Sequence, residues 1–116
     1  MKIRIFGLES DPGRKLRSKV RKFIKREGFE KDLNIIFVDE AYIQDLNKRF
    51  LSRDYATDVL SFNLDDIGEI YVLREREASI EDLWELVLHG LLHLSGYNHN
   101  TPDEQARMDE MSRRYR

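Results

Sequence analysis

Residues 59–73, Val59-Leu60-Ser61-Phe62-Asn63-Leu64-Asp65-Asp66-Ile67-Gly68-Glu69-Ile70-Tyr71-Val72-Leu73, read as two strands, 59–64 and 69–73, joined by Asp65-Asp66-Ile67-Gly68. That connection is short enough for a hairpin, so the two strands are antiparallel neighbours. Toward the N-terminus, residues 2–6 alternate polar and apolar as a strand does, with Ile3, Ile5 and Phe6 as expected core contributors. Asp11-Pro12 supplies a helix cap followed by a proline suited to the first turn. Beyond it Leu16, Val20, Phe23 and Ile24 recur at helical spacing up to Gly28, which is placed to end the helix in the left-handed conformation. Residues 33–38 form a short apolar run expected to be a strand buried on both faces. A strand-helix-strand unit needs a right-handed crossover and a parallel pair. With the hairpin, this predicts an α+β domain over 1–116 built on a mixed four-stranded sheet with about four to five helices.

The remaining helices announce themselves by their caps. Asp39 can cap a second helix with Tyr42, Leu46 and Phe50 as its expected inner face. Ser79-Ile80-Glu81-Asp82 resembles a capping box opening a third, which turns Leu83, Val87, Leu88 and Leu91 inward and runs to Gly96. Thr101-Pro102-Asp103-Glu104 combines a cap, a first-turn proline and a reciprocal glutamate, starting a last helix toward Arg116.

Composition excludes several classes. The chain has 116 residues, no cysteine, two prolines and a formal charge of −2, so no disulfide framework exists. With 41% hydrophobic and 36% charged residues it is too apolar to be disordered. No apolar stretch approaches the roughly 20 residues that cross a bilayer, and the alternating N-terminus lacks the apolar run of a secretory signal. No membrane association and a cytoplasmic location are the expectations. The near-neutral total conceals an asymmetry: residues 1–34 hold eleven Lys/Arg and five Asp/Glu, residues 58–85 two and nine. The first helix presents Arg14, Lys15, Arg17, Lys19, Arg21, Lys22, Lys25 and Arg26 away from its apolar stripe, a surface able to attract a polyanion.

All three histidines lie within eleven residues, His89-Gly90-Leu91-Leu92-His93-Leu94-Ser95-Gly96-Tyr97-Asn98-His99. On a helix, positions i and i+4 share a face, so His89 and His93 can aim imidazole nitrogens at one point. Gly96 allows the chain to turn back so that His99 supplies a third ligand. Three imidazoles on a tetrahedral metal leave one position open, the mark of a catalytic rather than a structural site. The spacing H-x-x-x-H-x-x-G-x-x-H is shared with the metzincin peptidases, whose general base is a glutamate directly after the first histidine. Here that position is Gly90. Peptide hydrolysis is thereby the weaker reading.

The histidine run resembles the signature of the YbeY endoribonucleases, bacterial rRNA maturation factors. Thr57-Asp58-Val59-Leu60-Ser61-Phe62, followed by Gly68-Glu69-Ile70, is similar to that family's other recurrent segments. The resemblance is good from about Leu46 to the C-terminus and covers the N-terminal third by layout alone. It implies that His89, His93 and His99 bind one Zn2+ per chain, with another divalent transition metal such as Ni2+ able to take its place. It implies RNA as substrate, rRNA or the small ribosomal subunit, with a ribosomal protein as a further partner. Two departures stand out. Asn98 replaces the family's usual aspartate beside the third ligand, and Leu51 occupies the position where the family carries an arginine implicated in catalysis. Arg49 and Arg53, two residues to either side, are the expected substitutes, because gripping phosphate oxygens needs reach and fork geometry rather than one fixed Cα.

The reading expected from the sequence is thus a single-strand-directed, metal-dependent endoribonuclease in rRNA maturation and ribosome quality control, metal held by the histidines, catalysis aided by Arg53 or Arg49, RNA held by Arg14, Lys15, Arg17 and Lys22. The competing readings are a small zinc peptidase of metzincin-like layout and a non-catalytic ribosome-associated metal-binding protein. Asp58, Asp65, Asp66 and Glu69 are not assigned catalytic roles; Asp65 and Asp66 read as turn residues, and Glu69 opens a strand that could face the cleft.

Overall fold

In the computed structural model, which describes residues 2–75 and 78–116, the chain runs β1 (Ile3–Phe6), α1 (Ser10–Glu27), β2 (Asp32–Val38), α2 (Glu40–Leu51), β3 (Val59–Asn63), β4 (Ile67–Leu73), α3 (Ile80–Leu94) and α4 (Pro102–Tyr115). The sheet order is β1-β2-β4-β3. β1 and β2 pair parallel, as do β2 and β4, while β3 and β4 pair antiparallel. The mixed four-stranded sheet expected from the hairpin and the crossover is therefore present, and four helices accompany it among the described residues. Among those residues no helix is long and apolar enough to cross a membrane.

One face of the sheet carries the main core. Ile3 and Ile5 of β1, Leu33, Ile35 and Phe37 of β2 and Ile70 and Val72 of β4 point to it, against Leu16, Val20, Phe23 and Ile24 of α1 and Leu83, Val87, Leu88, Leu91 and Leu92 of α3. Met108 and Met111 of α4 close the layer. On the opposite face α2 lays Ile43 and Leu46 over Leu60, with Val38, Phe62, Tyr71 and Leu73 around them.

That second face explains three departures from the sequence reading. β2 is buried in strict alternation rather than on both faces, because α2 covers only part of the sheet and leaves Asn34, Ile36 and Val38 half-buried. The buried face of α2 is Ile43, Leu46 and Asn47, whereas Tyr42 and Phe50 are 49% and 62% exposed. Phe6, an expected core residue, is in register with Ile36 on the α2 side of the sheet, beyond that helix's reach, and is exposed.

The caps follow the sequence with two adjustments. Asp39 accepts a hydrogen bond from the Tyr42 N–H at 2.8 Å, and Ser79 and Asp82 form the reciprocal capping box. Thr101 accepts from the Glu104 N–H. α1, however, starts at Ser10 with Glu9 at the N-cap and no side-chain cap bond. Asp11 lies inside the first turn and pairs with Arg14 at 2.6 Å, and Pro12 is harmless there because first-turn N–H groups have no helical partner. α3 stops at Leu94, two residues short of Gly96.

Candidate metal centre

α3 positions the first two histidines through its own amphipathic geometry. With Leu83, Val87, Leu88, Leu91 and Leu92 held in the core, His89 and His93 fall on one half-buried stripe. Their Nε2 atoms are 3.1 Å apart and their ring centroids 4.7 Å. The chain then leaves the helix through Gly96 at φ +97°, with the Gly96 N–H donating to the His93 carbonyl at 3.0 Å and the Tyr97 N–H to the Leu92 carbonyl at 2.9 Å. A side chain other than glycine's is strained at that φ. This turn returns the exposed His99, whose ring lies 5.7 Å from that of His89 and 5.2 Å from that of His93. One ligand atom from each histidine lies within 4.8 Å of the other two.

Three borderline-soft nitrogen donors converging on one point, with His99 open to solvent, fit a divalent transition ion with an exchangeable position. Burial, reinforced by the charges that His93 and His99 would carry, lowers the pKa of His89. Burial, and after it the charge that His99 would carry, lowers the pKa of His93, with a hydrogen bond to the Tyr97 backbone opposing. Both effects favour the neutral imidazole, the form that coordinates.

Gly90 has a packing reason to be glycine. A Cβ there would lie 2.7 Å from Ile70 Cγ2 on β4, so the helix sits directly on the sheet at this position. A glutamate, the peptidase general base, has no room between α3 and β4.

The structure distributes the other candidate residues around the molecule. Leu51 is the last residue of α2 and is exposed; Ser52 follows at φ +55°. Arg49 is ion-paired with Asp45 at 2.9 Å and lies over the Phe50 ring. Arg53 is exposed in the loop after α2, and among the described residues no ion pair involves it. Neither arginine bonds to the histidine cluster. Asp65 and Asp66 are exposed in the hairpin turn. Glu69 faces away from α3, accepting hydrogen bonds from Asn34 Nδ2 at 3.4 Å and Tyr71 OH at 3.3 Å. On α1, Arg14 and Lys22 line a shallow groove of about 430 Å³ with Arg21 and Lys25, while Lys15 is exposed outside it. Arg17 also lines it but donates to the Ile3 carbonyl of β1, so its guanidinium is partly engaged in the fold.

One residue that the sequence reading passed over organises the loop before Thr57. Asn47 is fully buried, and its Nδ2 donates to the Tyr55 carbonyl at 3.0 Å and Thr57 Oγ1 at 3.1 Å. Its backbone carbonyl accepts from the Arg53 N–H at 3.1 Å. The signal available in the sequence was an asparagine directly beside Leu46 on the apolar stripe of α2, where a polar side chain needs a partner.

Fold and site together define a small α+β protein with three converging histidines, at the end of its helix α3, that could hold a metal ion. The family profile described as Endoribonuclease YbeY matches residues 9–116, and the chain belongs to that family. An Endoribonuclease YbeY of Thermotoga maritima is 38% identical over 113 residues, covering 86% of this chain and 75% of the relative. One of Syntrophus aciditrophicus is 35% identical over 119 residues, covering 84% and 74%. The solution structure of TM1509 from Thermotoga maritima aligns with a TM-score of 0.67 at 36% identity, over 97% of this chain and 85% of that one.

Proposed function

We propose that the chain is a metal-dependent endoribonuclease that cuts single-stranded RNA during rRNA maturation, with Zn2+ as its metal. Membership of the endoribonuclease family and the convergence of three histidine ligand atoms within 4.8 Å support the reading, and the convergence carries it. His89, His93 and His99 would hold the ion. A divalent cation there supplies Lewis acidity toward a phosphate oxygen or a water.

The chain's own residues supply the rest. Arg53, on a loop pinned by Asn47 and outside every ion pair among the described residues, is available to swing a guanidinium onto phosphate oxygens; Arg49 would first have to leave Asp45. The exposed cations of α1, Arg14, Lys15 and Lys22, with Arg17 contributing in part, hold the sugar-phosphate backbone without reading sequence. A basic α1 and a separate acidic cleft lined by Asp58, Glu75, Asp82 and Glu85 suit a protein that engages rRNA on one side and a basic ribosomal protein on another, within the cytoplasm. The peptidase reading falls because the position of its general base is filled by the contact of Gly90 with Ile70.

The experiment is cleavage of a labelled single-stranded fragment of small-subunit rRNA by zinc-loaded protein, beside His93→Ala, with metal content measured in both. Stoichiometric zinc and RNA cleavage in the parent, both lost in the variant, are expected. Zinc binding with no RNA turnover would leave a non-catalytic metal protein.

A further inference from the structure

The sheet face that α2 leaves uncovered has the composition of a ligand site rather than of a solvated surface. Two transverse rows cross it. Arg4, Asn34, Glu69 and Phe62 are in register across β1, β2, β4 and β3, and beside them run Phe6, Ile36, Tyr71 and Leu60. At the α2 border a cleft of about 210 Å³ is lined by Leu46, Phe50, Phe62, Leu64, Glu69 and Tyr71. Its aromatic rings form a continuous array, in which Phe62 meets both Tyr71 and Phe50 edge-on, and Tyr42, outside the cleft, backs Tyr71 with 22° between planes. Phe50, Tyr42 and Leu64 are about half exposed or more.

The floor of this cleft is anionic, and cations stand around it beside the hairpin carboxylates Asp65 and Asp66, which follow the lining Leu64. Both Glu69 carboxylate oxygens already accept one long hydrogen bond, from Tyr71 OH at 3.3 Å and Asn34 Nδ2 at 3.4 Å, and each retains accepting capacity. Three cations lie around it, two against lining residues and one against Asn34, the partner of Glu69; of these Arg49 is ion-paired with Asp45. The Arg49 guanidinium lies 5.6 Å from the Phe50 ring centroid, Lys31 Nζ donates to the Leu64 carbonyl at 3.3 Å, and Arg4 Nη1 reaches Asn34 Oδ1 at 3.4 Å. A wholly apolar occupant would strip water from the carboxylate without replacing its hydrogen bonds. A phosphate would be repelled from the floor yet attracted to the rim. The occupant that satisfies all three features has a flat apolar body, paired N–H donors on one edge and a phosphate on the other side.

We propose that this cleft binds an unpaired nucleobase of the RNA substrate, guanine in preference to the others, at a subsite on the sheet face opposite α3. Guanine presents two adjacent donors, N1–H and the 2-amino group, which match the two oxygens of Glu69. Adenine and cytosine place a lone pair beside their amino group, and uracil flanks its single N–H with two carbonyls, so each sets an acceptor against the carboxylate. Stacking on Phe50, Phe62 and Tyr71 supplies affinity that every base shares. The subsite rests on the ribonuclease reading and adds to it a preference at one nucleotide. β3, the edge strand, is shared by the two faces, so one RNA strand can round it to engage both.

The test uses zinc-loaded full-length protein and two fluorescein-labelled 2′-O-methyl oligouridylates of about eight nucleotides, one carrying a single central guanine. Fluorescence anisotropy reads affinity without cleavage. The guanine oligonucleotide is expected to bind about fivefold or more tightly than its partner, as for a paired hydrogen-bond contact to one base. Glu69→Gln should abolish that preference while the plain oligouridylate keeps its affinity. Phe50→Ala, at an exposed position lining the cleft, should weaken both oligonucleotides by several-fold with circular dichroism unchanged. An equal affinity of the parent for the two oligonucleotides, or a preference that survives Glu69→Gln, overturns the proposal. So does undiminished binding by Phe50→Ala, which would assign the aromatic face to a protein partner. If the binding pattern holds and the zinc-loaded protein cuts no RNA, the catalytic reading fails and the subsite stands; if RNA is cut and the pattern is absent, the reverse is true.

Discussion

Among single residues, Gly90 shows how packing and chemistry meet on one helix. A methyl group added there meets Ile70 Cγ2 at 2.7 Å, and Ile70 is fully buried, so β4 cannot yield cheaply. Gly90→Ala should therefore lower stability by about 1–3 kcal/mol in urea denaturation, the usual cost of overpacking, despite alanine's better helix propensity. Because Ile70→Ala removes that γ-methyl, it should cost less on the Gly90→Ala background than in the parent, and a Gly90→Ala variant as stable as the parent would show that α3 does not rest on the sheet here. Asn47 is the complementary case, a polar group kept inside for its partners. Replacing it with alanine leaves the Tyr55 carbonyl without its donor and opens a gap under the loop. A loss of about 1–3 kcal/mol is expected, chiefly from the cavity, since the carbonyl of the exposed Tyr55 can turn to water and the buried Asn47 Oδ1 has no partner to lose. Limited proteolysis should open first between 52 and 57.

Between elements, the α2–β3 loop and α1 divide the work on phosphate. If a guanidinium stabilises the phosphodiester transition state, Arg53→Ala should reduce turnover by about 10²–10³ with metal content intact, whereas Arg49→Ala, already tied to Asp45, should cost less. Leu51→Arg, at the exposed end of α2, should raise activity if the cation acts better from that position. Unchanged turnover in all three would leave the metal site to carry catalysis alone. α1 acts on affinity instead. Replacing Arg14, Lys15, Arg17 and Lys22 together should flatten the dependence of log K on log salt by about 0.7 for each phosphate the protein no longer neutralises. Because Arg17 also ties α1 to β1, a triple variant that keeps Arg17 separates binding from stability.

Across the whole molecule, the histidine cluster couples folding, metal and pH. The folded-state pKa values of His89 and His93 are lowered by burial, so between their ordinary value of about 6.5 and the depressed folded values the unfolded chain binds more protons. Metal-free protein should therefore lose stability as pH falls below about 6.5, and the loss should level off once the folded histidines are protonated too. Bound zinc, which also requires neutral imidazole, should steepen the fall. Thermal melts between about pH 8 and about pH 5, with and without zinc, read both effects; a metal-free melt flat across that range in the parent would contradict the assigned burial.

Elements, mixed sheet and the convergence of the three histidines were all legible in the chain, because each is written in local spacing: period-two and helical alternation, caps such as Asp39 and Ser79, and histidines four residues apart followed by Gly96 and His99. What lies outside the core was settled by the packing of distant elements. Phe6, Tyr42 and Phe50 have the hydrophobicity of buried residues and the periodicity of their elements, yet Phe6 remains exposed because α2 does not reach β1, and Tyr42 and Phe50 because α2 turns Ile43, Leu46 and Asn47 to the sheet instead. Asn47 and Glu69 likewise acquire their partners from loops and strands far along the chain. Local pattern sets which face a residue shares with its neighbours, whereas whether that face meets protein or water depends on where the other elements come to rest.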